Sequence, residues 1–169
     1  MQSRVLKGSD VLIGISTNAS TGIKPIGYVT SHTLSISRDS RDVACKRTGN
    51  WGAVVPGQMS WEMSGDCLYA IGDTTTGNFN DLFTNIVGNA EVYIYSAFAD
   101  PNIGDDDTKY KFDDASVGSK HGKFYYGKGI ITKLDANLGA NDNATYTFSI
   151  QGGGILQQVT DVSKFVPIP

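Results

Sequence analysis

A run of alternating side chains near the middle of the chain sets the strongest constraint on its fold. Its apolar members are Met59, Trp61, Met63, Cys67 and Tyr69, and its polar members are Ser60, Glu62, Ser64 and Asp66. A period of two puts the apolar side chains on one face of an extended strand and the polar ones on the other. The run therefore predicts a strand with one buried face, core packing for Trp61, and a bulge or bend at Gly65.

Strand-like segments recur along the rest of the chain. They cover residues 11–16, 26–37, 91–99, 123–134, 144–151 and 155–160. Three glycines at 152–154 separate the last two segments. No helix follows these glycines to bind a phosphate, so they favour a hairpin turn or a bulge. A length of 169 residues suits a single domain, and the sequence predicts one mainly β domain over residues 1–169.

Residues 79–87 break the strand pattern with a helical spacing. Their apolar members are Phe79, Leu82, Phe83, Ile86 and Val87, which share one stripe of an α-helix. Asn78 can cap the start, Asp81 adds a favourable negative charge to the first turn, and Gly88 can end the helix. We therefore expect one short helix packed against the sheets.

Irregular segments are predicted at 17–25, 38–57 and 100–122. The last is rich in aspartate, with Asp105, Asp106, Asp107, Asp113 and Asp114. It lacks the glycine and terminal glutamate of an EF-hand, so a solvated loop is favoured over a calcium site. Residues 161–169 contain two prolines and predict an extended arm.

The residue types needed for catalysis are scarce. His32 and His121 are the two histidines, and the sequence contains neither GxSxG nor HExxH. Cys45 and Cys67 have no metal-ligand spacing and are interpreted as free thiols. The sequence therefore predicts no catalytic residue, no metal site, no cofactor and no enzymatic activity.

The charge pattern also argues against a nucleic-acid-binding protein. The net charge is −3, whereas binding along a phosphate backbone needs excess positive charge. A local basic cluster is interleaved with acidic residues; it comprises Arg38, Arg41, Lys46 and Arg47 beside Asp39 and Asp42. This mixture favours a protein interface. No apolar run is long enough to suggest a membrane span, and no secretory signal is expected.

Several segments, taken in order, resemble a known family. They are an early apolar strand and residues 26–37, 49–52, 55–57, 60–65, 79–87, 126–132 and 144–152. Together they resemble the major tail protein of long-tailed bacteriophages, the subunit of the tail tube. The resemblance implies two packed antiparallel sheets, like a sandwich or barrel, with one flanking helix. It also implies a virion protein, made in the host cytoplasm, whose hexameric rings stack into a conduit for DNA ejection.

The resemblance also implies where assembly contacts lie. The loop 38–57 would be a ring-stacking element, with contacts from Arg47, Asn50, Trp51, Val54, Val55 and Pro56. The C-terminal segment 161–169 is a second candidate arm, through Phe165, Val166 and Ile168. The implied partners are copies of the same chain and other tail proteins, namely the tape measure, the tail tip or baseplate, and the terminator. DNA would pass through without specific binding, and no membrane is involved.

Two alternatives stay open at the level of sequence. One is the tube component of a contractile injection or secretion system, which shares the expected fold. The other is a β-sandwich module that binds carbohydrate through Trp51 and tyrosines. Electron microscopy would distinguish them, since a tube subunit forms rings or tubes and a sugar-binding module stays monomeric.

Overall fold

The structure is a computed structural model that describes residues 11–18, 23–43, 52–70, 77–98, 124–140 and 142–159. Its strands are β1 (Val11–Ser16), β2 (Lys24–Pro25), β3 (Val29–Asp42), β4 (Val54–Leu68), β5 (Glu91–Phe98), β6 (Phe124–Asn137) and β7 (Thr145–Val159). Within these ranges there is one helix, α1 (Phe79–Val87).

The seven strands form one antiparallel sheet in the order β2-β1-β5-β6-β7-β4-β3. The mainly β prediction is confirmed, but the strands are joined in one hydrogen-bonded sheet where two packed sheets were expected. The reason is the length of β6 and β7, which pair with each other almost from end to end. Strand β5 joins this pair at residues 124–130 of β6, and β4 joins the opposite end at residues 145–151 of β7.

Both faces of strand β5 are covered. Val92 and Ile94 point into the larger core cluster, which also contains Trp61 and Met63 of β4. Tyr95 and Ala97 point the other way, into a second cluster with Phe124 and Tyr126 of β6. Burial on two faces fixes the register of β5, because a shift by one residue would exchange the two sets of side chains.

Helix α1 confirms the prediction in its bounds and its caps. The Asn78 side chain accepts a hydrogen bond from the Asp81 backbone N–H, and the Asp81 carboxylate accepts one from the Asn78 backbone N–H. This reciprocal capping box satisfies two backbone donors that the helix itself leaves unpaired. Leu82 is fully buried, whereas Phe83 and Val87 on the same apolar stripe are more than half exposed.

Two details differ from the sequence prediction for 26–37 and 59–69. Ile26 lies in an isolated bridge with Gly77, and Tyr28 has a positive φ of 57°, so β3 begins only at Val29. Gly65 keeps regular register with Phe148 of β7 and is no bulge on β4. A Cβ there would lie 2.9 Å from the Phe148 ring, so close packing is the reason for glycine.

Candidate assembly site

The hairpin of β3 and β4 continues well beyond the rest of the sheet. Strand β7 pairs with β4 only from Glu62 onwards, opposite Gln151. Residues 37–42 and 54–60 pair with each other alone in the described part of the chain. We call this two-stranded extension the ribbon arm. Every side-chain-bearing residue in it is exposed.

The ribbon arm carries half of the predicted stacking residues. Val54, Val55 and Pro56 lie on its outer part, opposite residues 40–42 of β3. The irregular segment predicted for 38–57 is therefore shorter, since both of its ends are strands. The other three predicted stacking residues, Arg47, Asn50 and Trp51, lie outside the described residues.

A bulge shapes the arm. The pairing passes from Arg38↔Met59 to Ser40↔Pro56, which places one extra residue on β4. A Cβ at Gly57 would lie 2.9 Å from the Asp39 carbonyl oxygen, so only glycine fits without a shift. Bulges of this kind increase the local twist and turn the ribbon relative to the parent sheet.

The arm presents apolar and charged groups together. Val54 is 64% exposed, and Val43 and Val55 are also exposed. Charges of both signs alternate along the opposing strand, as predicted from the sequence, between Arg38 and Asp42. An isolated two-stranded ribbon is marginally stable in water, so exposed β-branched side chains at its end favour a contact with another protein surface.

Trp61 marks the base of the arm. It is only 4% exposed, which confirms the prediction of core packing. Its indole Nε1 donates a hydrogen bond to the Gly154 carbonyl oxygen at 2.9 Å. A Cβ at Gly152 would lie 2.1 Å from the indole ring, and one at Gly127 would lie 2.5 Å from it. We call this arrangement the Trp61 seat.

The seat explains Gly152, the first glycine of the run that the sequence left as a turn or a bulge. Residues 152–154 lie within the continuous strand β7, and the pairing with β6 shifts from Gly129↔Gly152 to Gly127↔Leu156. The run is therefore a bulge. Sequence reasoning missed its partner, because the indole that it accommodates belongs to a strand far away in the chain.

A cleft of about 720 Å³ opens beside the Trp61 seat. It lies where β4 leaves β7 to form the ribbon arm, since the ladder between them ends at Glu62↔Gln151. Its lining consists of Ile36, Gln58, Met59, Ser60, Trp61, Tyr125, Gln151, Gly152, Gly153, Gly154, Ile155, Leu156 and Gln158. None of these residues carries a formal charge at neutral pH.

His32 and Cys67, the described histidine and cysteine, both lie within strands of the sheet. His32 lies within β3, and partial burial lowers its pKa. Cys67 is a buried free thiol, and burial raises its pKa to about 11. Among the described residues no three His, Cys, Asp or Glu side chains are grouped to hold a metal ion. No helix in these ranges has the length and hydropathy of a membrane span.

The remaining sequence predictions fall outside the described residues. They concern His121, Cys45, the acidic segment 100–122, and the C-terminal candidates Phe165, Val166 and Ile168.

Comparison with known proteins decides the family. Residues 5–158 match the family of phage tail tube proteins. The chain belongs to this family. Its members are structural subunits of the phage tail, and the tail-tube interpretation of the sequence is confirmed. A search of curated protein sequences found no match.

Solved structures agree on the fold. A chain in the tail of an empty gene transfer agent particle with C6 symmetry is 18% identical, with a TM-score of 0.68, over 92% of this chain and 99% of that one. The tail tube of phage SPP1 is 13% identical, with a TM-score of 0.66, over 94% and 81%. A chain of the sheath–tube complex of an extracellular contractile injection system, PVC, is 17% identical, with a TM-score of 0.58, over 92% and 93%. Phage tails and contractile systems therefore share this fold, and the fold alone does not separate the two.

Proposed function

We propose that this tail tube subunit assembles into hexameric rings, that the rings stack into a tube, and that the ribbon arm makes the contact between rings. The observation that carries the proposal is the arm itself. It extends beyond the sheet, exposes valines at its end, and presents a β4 edge that pairs with no other described strand. Such an edge is a liability in a free monomer and a docking element in an assembly.

The geometry of the arm suits contacts that repeat. Because the arm projects beyond one side of the sheet, we take its docking surface on a neighbour to be a different patch. Contacts between two different patches close into a ring when the rotation permits, and otherwise continue as a filament. The C6 symmetry of the gene transfer agent tail supports a hexamer for this chain as well.

The remaining parts of the proposal concern partners and cargo. DNA passes through the tube without specific binding, in agreement with a net charge of −3, since acidic walls repel the phosphate backbone. The chain acts as a structural protein without enzymatic activity, is made in the host cytoplasm, and contacts other tail proteins at the two ends of the tube. The tape measure, the tip or baseplate, and the terminator are the expected ones.

Negative-stain electron microscopy tests the proposal directly. The purified protein is expected to form rings or tubes, alone or when seeded with a tail-tip complex. A Val54→Asp/Val55→Asp variant should stay folded and lose assembly, because buried carboxylates without partners are costly. The matched Val54→Ile/Val55→Ile variant keeps the apolar surface and should still assemble. Monomers alone from the seeded wild type, or normal tubes from the aspartate variant, would contradict the proposal.

Trp51, although outside the described residues, gives a second test of the same loop. Trp51→Ala should leave the melting temperature unchanged and reduce the yield of tubes, because an aromatic anchor at an interface contributes a large share of binding. A normal tube yield from this variant would show that Trp51 is not needed for the contact between rings. The contact would then depend on the valines of the arm.

A further inference from the structure

The cleft beside the Trp61 seat exposes apolar side chains that no described part of the chain covers. Ile155 is 73% exposed, Met59 is 55% exposed and Ile36 is 51% exposed, and all three line the cleft. The buried Trp61 is also part of its lining. Exposed apolar side chains gathered around a concave surface are typical of a binding site, in contrast to single apolar residues scattered over a surface.

Two strand edges flank the cleft. In the described part of the chain, residues 54–61 of β4 pair with β3 alone, and residues 152–159 of β7 pair with β6 alone. In the described part of the chain no further strand pairs with the facing edges, where the Gly154 carbonyl oxygen accepts a hydrogen bond from the Trp61 indole. A strand added to one of these edges gains main-chain hydrogen bonds, and the flanking pockets select its side chains.

The chain itself carries a segment that matches this site. The end of the ribbon arm is an extended, exposed and apolar strand, with Val54 and Val55 next to Pro56. Its β4 side chains there are uncharged, as is the lining of the cleft, and the charged Arg41 and Asp42 lie on the paired strand β3. A neutral cleft favours the β4 strand of the arm over its β3 strand, because a charged side chain would lose its hydration there without gaining a partner.

The arm cannot reach the cleft of its own chain. Val54 and Met59 belong to the same continuous strand, and five residues of strand span roughly 17 Å. The arm is also fixed in place by its ladder with β3, which runs to Asp42↔Val54. The matching surfaces can therefore meet only between two copies.

We infer that the cleft at the Trp61 seat receives the end of the ribbon arm of a second copy of this chain. The inference rests on the proposed function, and it adds where the arm docks. The contact is heterologous, so each copy offers one arm and one cleft. The Trp61 seat holds the two edges apart, which gives the glycines at 127 and 152 a role in assembly as well as in packing.

Cysteine pairing between copies tests the inference. In a Cys45→Ser background, Val55→Cys and Ile155→Cys are made as separate single variants; the native Cys67 is buried. Mixed in equal amounts, assembled and oxidised, they should give a covalent dimer that neither variant forms alone. Val55→Cys mixed with Leu138→Cys is the control, since Leu138 is equally exposed on the turn between β6 and β7. The Val55–Ile155 dimer should exceed the control at least tenfold.

The outcomes separate the inference from the proposed function. Normal tubes with no more Val55–Ile155 dimer than control would overturn the docking site and leave the tube intact. Dimer formation in a preparation that makes only small oligomers would support the docking site and contradict the stacked tube. Neither dimer nor tube in a seeded wild-type preparation would overturn both.

Charge exchange gives an independent readout. Val55→Lys and Ile155→Asp should each abolish assembly, because each places an unpaired charge in the contact. The double variant should regain tubes, since the two charges then meet across the interface. A double variant that remains monomeric while both single variants stay folded would count against the pairing.

Discussion

The two halves of strand β4 behave as different kinds of structure. Residues 62–68 lie between β3 and β7, and their inward side chains, Met63 and Cys67, are fully buried. Residues 54–60 pair with β3 alone, and their side chains are exposed. Trp61 stands at the boundary. Under the proposed function, the same strand serves folding in one half and offers a surface for assembly in the other.

If the ribbon arm makes the proposed contact, the difference separates the residues that stabilise the subunit from those that assemble it. The inner half is stabilised by burial, which contributes roughly 25 cal/mol per Å² of apolar surface within the monomer. The valines of the outer half are exposed to water in the subunit, so under the proposed function their contribution appears only on assembly. Mutations in the two halves should therefore affect different measurements.

The largest effect on folding is expected at the Trp61 seat. Gly152→Ala places a methyl group 2.1 Å from the indole of a buried tryptophan, and neither side can move freely. Overpacking of this kind costs about 3 kcal/mol in the free energy of unfolding, measured by urea denaturation of the monomer. Gly153→Ala is the matched control, because its Cβ meets nothing closer than 3.7 Å. Equal losses of stability in the two variants would mean that contact with the Trp61 indole is not the reason for glycine at position 152.

The seat also shows what the sequence could not predict. Helix α1 was predicted to its bounds because every signal is local: the cap at Asn78, the apolar stripe, and the stop at Gly88. The need for glycine at 152 depends on Trp61, which sits on another strand, so no local pattern contains it. The arm was missed for a similar reason, since the extension of β3 to Asp42 depends on its cross-strand partner Val54.

The tail-tube family could be predicted from the sequence, whereas the assembly site could be predicted only in part. Alternation and the helix, in their order along the chain, gave the tail-tube resemblance. Of the predicted stacking residues, Val54, Val55 and Pro56 fall on the ribbon arm, and whether they make the contact stays a prediction. The cleft was not predicted at all, because it forms where two strands separate, and that is a property of the sheet topology.

A smaller effect on the free energy of unfolding is expected at alkaline pH, from Cys67 in the inner half of β4. The ordinary pKa of a cysteine thiol is 9.0, and burial raises the pKa of Cys67 to about 11. A hydrogen bond from Tyr146 offsets part of this rise. Between these pH values the unfolded chain loses the thiol proton and the folded chain keeps it. The unfolded state then binds fewer protons, so stability falls as the pH rises from about 9 to about 11.

Denaturation at pH 8 and pH 10 measures this slope. Cys67→Ala removes the thiol and should lose less stability over that range than the wild type does. Buried Tyr146, whose pKa is also raised by burial, contributes a slope of the same sign in both proteins. Identical slopes for wild type and variant would show that Cys67 does not ionise differently in the folded and unfolded chains.

The smallest effect on folding is expected in the outer half of the same strand. Val55→Asp exchanges an exposed side chain on the ribbon arm, and exposed substitutions usually change the free energy of unfolding by less than about 0.5 kcal/mol. Urea denaturation of the monomer should therefore match the wild type, while sedimentation of the assembled material should fall to the monomer background. Val55→Ile is the control at the same position and should sediment as the wild type does. A Val55→Asp variant that lost both stability and assembly would contradict the distinction between the two halves of β4. It would show that the valines of the arm already stabilise the fold of the free subunit.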